Sequence, residues 1–200
     1  LPEINGIVYS PVFDRDFNIY FPGIKNDHNV LVKVNKTGSV LWTYDFNNYM
    51  ANTSRSPIID GYGNIFYSHD KLYCISKEGS LKWEKPFGSE TTPAITNNNN
   101  LVVKSSGGFT MLDTSGTIVW SINIGINSNQ SYIVLDDEDN LYYNYYTPSF
   151  LSIISLNKSG GTRWNLQNFT NGLVIPGPAL SPLARIITYP KRPARIYSIK

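Results

Sequence analysis

Charge is scarce in this chain of 200 residues: Asp, Glu, Lys and Arg together make up 16% of it, against about 25% in an average soluble domain. Fourteen tyrosines and abundant asparagine fill the difference. The single cysteine, Cys74, excludes an internal disulfide, and its apolar surroundings, Lys71-Leu-Tyr-Cys-Ile75, read as those of a small buried hydrophobe. The two histidines, His28 and His69, stand near expected turns with no nucleophile motif beside them, so Ser-His or Cys-His catalysis has no sequence support. Zinc-ligand spacing, a phosphate loop and an EF-hand pattern are all missing. No apolar run approaches 18 residues, so no transmembrane helix is expected.

Acids also stop early. Residues 1–139 hold all 15 acids and ten of the 17 bases, while residues 140–200 hold seven bases and no acid, within a net charge of +2. The bases are too thinly spread, and too poorly interleaved with aromatics, for a nucleic-acid site. Asp136-Asp-Glu-Asp139 reads as a solvated turn rather than a metal cluster. The chain opens Leu-Pro-Glu with no visible signal peptide, which reads as a processed or excised piece. Asn35, Asn52, Asn129, Asn157 and Asn168 each begin a glycosylation sequon, which makes a glycoprotein one expectation if the source has a secretory pathway.

What is present is a repeat. Asn35-Lys-Thr-Gly38-Ser-Val-Leu-Trp42, Ser76-Lys-Glu-Gly79-Ser-Leu-Lys-Trp83, Asp113-Thr-Ser-Gly116-Thr-Ile-Val-Trp120 and Asn157-Lys-Ser-Gly160-Gly-Thr-Arg-Trp164 share one register, and these are the only four tryptophans. Their separations are 41, 37 and 44 residues, a period that marks a repeat architecture. Each period also carries a Ser/Thr-Pro or similar opening and a polar turn, then an aromatic-rich run starting at Asn18, Asn64, Asn100 or Asn140. A further apolar run precedes the glycine. Four short β-branched and aromatic segments per period, with no helical stripe, give an all-β β-propeller of four-stranded antiparallel blades.

The blades fall at about 7–46, 55–87, 91–124 and 130–168, with a partial blade over 177–200, in one propeller domain or propeller fragment spanning 1–200. Gly38, Gly79, Gly116 and Gly160 supply the positive φ of a hairpin. Trp42, Trp83, Trp120 and Trp164 fill space between blades. The last segment offers three strands but no Gly turn and no Trp strand. Either residues 1–8 supply the missing strand and close a five-bladed ring, or the chain is a piece of a larger propeller. The second reading is preferred, and an open ring would leave a sheet edge free to pair with another chain.

The Asp-x-x-Gly-x-x-x-Trp pattern, clearest at Asp113–Trp120 and Lys71–Trp83, resembles the quinoprotein alcohol dehydrogenase-like, or PQQ-like, propeller repeat over residues 7–199. That resemblance implies a blade fold. It spans quinone-dependent dehydrogenases, periplasmic assembly scaffolds and sensor or surface domains. Family dehydrogenases use eight blades, a calcium and often a vicinal disulfide; here about half the blades and a single cysteine are present. The expectation is therefore a non-enzymatic binding or assembly scaffold for protein partners, extracytoplasmic, secreted or at the cell surface, with no cofactor, metal or catalytic residue. A carbohydrate-binding module is the first alternative and a fragment of a quinone-dependent dehydrogenase the second. Alternation along Tyr142–Tyr146 would bury two tyrosines and expose the others, or place them in the loop before the next strand; the candidate partner contacts in this cluster are Tyr143, Tyr145 and Tyr146. Lys191, Arg192 and Arg195, in a proline-marked basic stretch, are the other candidates.

Overall fold

The computed structural model describes residues 4–7, 9–49, 55–87, 91–105, 107–126, 133–146, 151–169, 179–180, 186–188 and 197–199. Among them every regular element is a strand. The chain divides into two compact units, Leu1–Thr92 and Pro93–Lys200.

The first unit holds two sheets. One comprises β1 (Gly6–Ile7), β2 (Val12–Phe13), β3 (Ile19–Lys25), β4 (His28–Val34) and β5 (Val40–Tyr49); the other comprises β6 (Ile58–Ile59), β7 (Ile65–Ser68), β8 (Leu72–Ile75) and β9 (Leu81–Lys85). The second unit repeats the plan. Its sheets are β10 (Ala94–Ile95) to β11 (Leu101–Ser105), β12 (Gly107–Leu112) and β13 (Ile118–Ile126), then β14 (Val134–Leu135) to β15 (Leu141–Tyr146), β16 (Leu151–Leu156) and β17 (Thr162–Phe169). A three-stranded sheet of β18 (Ala179–Leu180), β19 (Ile186–Thr188) and β20 (Tyr197–Ile199) follows. All pairings within these sheets are antiparallel between chain neighbours, apart from the added β1–β3 pair. Four complete blades and a partial fifth are thus the architecture.

Two turn types, each repeated four times, shape the blades. In the first, Asn35 Oδ1 accepts the backbone N–H groups of Thr37 and Ser39 at 3.0 and 2.9 Å, and the Gly38 N–H reaches the Asn35 carbonyl at 2.9 Å. Ser76, Asp113 and Asn157 do the same with a hydroxyl, a carboxylate and an amide. The glycine has φ between +80° and +90° in all four copies, a region that a Cβ disfavours. Three residues after the glycine, just before the tryptophan, one residue of the last strand is skipped by the ladder in every copy, a β-bulge that increases the local twist.

The second turn joins the first two strands of each blade. Asp14, Asp60 and Asp136 each accept two backbone N–H groups and the side-chain amide of the Asn four residues on. Thr96 takes the place in the third blade, receiving the Asn100 N–H on its hydroxyl at 3.0 Å. Asp136 therefore serves a turn, and the described residues contain no group of three or more His, Cys, Asp or Glu side chains able to hold a metal.

The middle two strands of each blade are covered on both faces, which is why they read as near-continuous apolar runs. β7, β8 and β12 are buried at every residue. In the first unit Tyr20, Leu31, Phe46, Ile65, Tyr67, Tyr73 and Ile75 form one core between the two sheets. Phe21, Val30, Val32 and Val34 point the other way and are packed against Ile4. In the second unit Phe109, Met111, Tyr143, Ile154 and Leu156 belong to the equivalent core. Each large apolar side chain so enclosed contributes roughly 1.5–3 kcal/mol. Cys74 lies in this layer and is fully buried; burial pushes its thiol up to about 12, which leaves it inert at neutral pH.

Gly6–Ile7 does not complete the fifth sheet. It pairs with Gly23 and Ile24 in the first one, because β3 runs past the two residues that β2 covers and offers backbone groups beyond Tyr20. Gly23 makes room for this: a Cβ there would meet Ile4 Cγ2 at 2.9 Å and the Gly6 carbonyl oxygen at 3.1 Å.

Candidate functional site

The repeated Gly and Trp meet across neighbouring blades within each unit. The Trp42 indole lies over Gly79 of the second blade, where an added Cβ would stand 2.8 Å from Cδ2, and its Nε1–H donates to the Lys77 carbonyl at 2.9 Å. Trp120 repeats the arrangement on the fourth blade, over Gly160 and with its Nε1–H donating to the Lys158 carbonyl at 3.0 Å. The hairpin glycine is thus both the residue that makes the turn and the floor on which the preceding blade's indole rests. Within their own blades three of the indoles also meet a ring of the second strand: Trp42 with Tyr20, Trp83 with Phe66, Trp164 with Tyr142, all at 5.8–5.9 Å between centroids. All four tryptophans are half-buried.

The tyrosine run divides differently from simple alternation. Tyr142 and Tyr143 are both buried, Tyr143 completely, with its ring edge-on to Phe109 at 5.0 Å. β15 is a middle strand covered on both sides, so its two faces are both interior, and Tyr143 presents no surface to a partner. Tyr145 is half-buried at the margin of the same core, with Asn165 Nδ2 donating to its hydroxyl at 3.4 Å. The side chain of Tyr146, together with Lys191, Arg192 and Arg195, lies outside the described residues. Of the other bases in the acid-free stretch, Arg163 donates to the Tyr142 hydroxyl at 2.9 Å and lies over its ring.

Three features that the repeat pattern does not announce converge in the first unit. Between the Asp14–Asn18 and Asp60–Asn64 turns lies an open cleft of about 480 Å³, and Phe13, Tyr20, Lys33, Tyr62 and Lys77 are among its lining residues. Lys33 is only 8% exposed. Its ammonium donates to the Lys77 carbonyl at 3.1 Å, stands 3.9 Å from the Asp14 carboxylate, and sits 5.0 Å above the Tyr20 ring centroid. Phe13 and Tyr62, which line the cleft, are 70% and 69% exposed, and Phe17, 66% exposed and outside the lining, lies nearly parallel to Phe13, 10° apart with centroids at 6.4 Å.

The Asp turns carry a pH signature. Burial raises the Asp14 pKa, but hydrogen bonds from Asn18, Tyr20 and Asp16 outweigh it and hold the carboxyl below its ordinary 3.8. Asp136 is held down in the same way, with burial opposed by Asn140, Tyr142 and Glu138. A folded-state pKa below the unfolded one means the unfolded chain takes up protons first. The stabilisation is complete above the unfolded value and is lost as pH falls through the folded one. Urea midpoints are therefore expected to be flat from neutrality to about pH 5 and to drop at more acid pH. Asp14→Asn and Asp136→Asn should each flatten that drop; an unchanged slope in both would contradict the assignment.

The profile of the family described as outer membrane protein assembly factor BamB matches residues 26–171. The chain belongs to this family. The PQQ-like repeat read from the Gly and Trp spacing is the signature of its blades. No curated protein matches the chain. Among solved structures, BamB from Moraxella catarrhalis is 12% identical, with 96% of this chain and 73% of that one covered at a TM-score of 0.62. A catalytically inactive variant of virginiamycin B lyase from Staphylococcus aureus, solved with quinupristin, is 13% identical over 99% of this chain and 71% of that one, with a TM-score of 0.73. A streptogramin B lyase gives 16% identity, 99% and 70% coverage and a TM-score of 0.68. At these identities the likeness is one of fold, and that fold carries both an assembly factor and lyases.

Proposed function

We propose that this BamB-family propeller is a non-enzymatic scaffold that binds protein partners outside the cytoplasm. The family match over residues 26–171 carries the reading, since the family takes its description from an outer membrane assembly factor. The residues that recur in every blade support it. Gly79, Gly160, Trp42 and Trp120 are committed to holding blades together, and the recurring Asp and Asn side chains to shaping turns. That leaves partner recognition to loops, as in many propellers.

The partner surface we assign includes Tyr145 and Tyr146 with Lys191, Arg192 and Arg195. These three bases belong to a stretch of 61 residues without an acid, so the complementary surface is acidic. The test is site-specific photo-crosslinking in the source cells from probes at Tyr146 and Arg192. A discrete protein adduct that disappears when Lys191, Arg192 and Arg195 are changed to Glu supports the reading. Turnover by the purified chain, either with pyrroloquinoline quinone and calcium on alcohols or on a streptogramin B, would overturn it.

A further inference from the structure

We propose that the cleft between the Asp14–Asn18 and Asp60–Asn64 turns binds a neutral saccharide. Phe13 and Tyr62 face the sugar's C–H surfaces, with Phe17 stacked beside Phe13, and Lys33 and Asp16 face its hydroxyls. This site is independent of the partner surface assigned above.

In a repeat protein a ligand site is best sought where one copy departs from the others, because what all copies share is needed to build each of them. The first blade departs twice, once in the cleft and once in the turn beside it. The residue before the turn Asn is in the left-handed region in all four blades. It is Gly63, Asn99 and Asp139 in three of them, with φ of 84°, 62° and 63°, and these are the residue types that tolerate it. In the first blade it is Phe17, at φ 61°. A bulky side chain there is strained, and at 66% exposed it recovers little by burial. Strain kept at an exposed aromatic points to a contact outside the chain. Phe13, almost as exposed, turns a ring face the same way.

The second departure is Lys33. By the ladder registers its counterparts opposite the tryptophans are Cys74, Met111 and Ser155, all compatible with a middle strand. A buried ammonium is not, unless its donors are used. An ammonium has three donors; the Lys77 carbonyl takes one at 3.1 Å, while the Asp14 carboxylate at 3.9 Å and the Tyr20 ring at 5.0 Å attract the charge without taking a hydrogen bond.

The cleft's own charges decide the ligand class. Asp14, Asp16 and Asp60 are matched by Arg15, Lys33 and Lys77, so neither an anion nor a cation is favoured overall. Donors and acceptors are interleaved beside flat apolar faces, which suits a ring with hydroxyls around its edge and C–H groups on its face. Its volume is in the small-molecule range. The second unit shows what the same gap looks like when closed. There the Asn97 N–H donates to Asp139 Oδ1 at 2.9 Å and Asn97 Nδ2 to the Asp137 carbonyl at 2.8 Å, tying the two turns directly.

A neutral glycan array probed with the full chain, followed by calorimetric titration of the best disaccharide, tests the site. The expected result is a dissociation constant of about 1 mM or tighter, with uronic-acid sugars weaker. Phe17→Asn removes the ring stacked on Phe13 and should weaken binding several-fold, while the unfolding midpoint holds or rises because Asn accepts the φ. Lys33→Met, the residue type of the third blade, should weaken it as well. No binding to any neutral glycan overturns the proposal, as does binding that both variants leave unchanged. If Phe17→Asn instead removes only the crosslinked protein adduct, the aromatic pair is a protein anchor and the saccharide assignment is wrong.

Discussion

Gly79→Ala is expected to destabilise the chain by about 3 kcal/mol, and Gly38→Ala by only about 1 kcal/mol. Both glycines occupy the same turn position, with φ of 90° and 84°, so both variants carry the strain of a Cβ in the left-handed region. They differ in what the Cβ meets. At Gly38 nothing lies within 4 Å, whereas at Gly79 the Trp42 ring carbons Cδ2 and Cγ are 2.8 and 2.9 Å away. The indole must move off its floor, and its hydrogen bond to the Lys77 carbonyl goes with it. Urea unfolding of the two variants separates turn strain from blade docking. Equal losses would mean the indole and the turn are not packed as described.

Trp120→Ala should cost about 3 kcal/mol, towards the low end for removing a large core ring because the indole is half-buried. The ring packs against the second unit's core and covers Gly160, so truncation opens a void between two sheets. Trp120→Phe keeps most of the apolar contact and loses the donation to the Lys158 carbonyl. That acceptor is exposed enough for water to replace the indole, so the expected loss is about 0.5–1 kcal/mol. A Phe variant as damaged as the Ala variant would assign the stability to the hydrogen bond instead of to packing.

Much of this arrangement is written locally in the sequence. The positive-φ glycine and the Asn, Ser or Asp three residues before it lie within one turn, so short-range turn chemistry predicts them from neighbouring residues alone. The blade count follows from their spacing. The partner of each tryptophan is a different matter: Trp42 and Lys77 are 35 residues apart, and only the stacking of one blade on the next brings them together. Its place in a run of four tyrosines makes Tyr143 read as a surface candidate. Alternation distinguishes core from solvent only when one face of a strand is wet, and β15 has no wet face at that residue. Phe17 left a readable signal. Aligning the four turns on Asn18, Asn64, Asn100 and Asn140 places Phe, Gly, Asn and Asp in one column, and the phenylalanine is the odd member. Lys33 is similarly odd beside Cys74, Met111 and Ser155, but that column emerges only once the ladder register is known.

The central claim is that Trp42 and Trp120 hold neighbouring blades together and take no part in chemistry or ligand contact. Hydrogen exchange at the indole N–H groups of the unmodified chain, followed by NMR, tests it most directly. Trp42 and Trp120 donate to carbonyls of the neighbouring blade, so their indole protons should exchange far more slowly than those of free tryptophan and should be lost together with the core amides. Free-tryptophan exchange at both positions, with the core amides still protected, would contradict the claim.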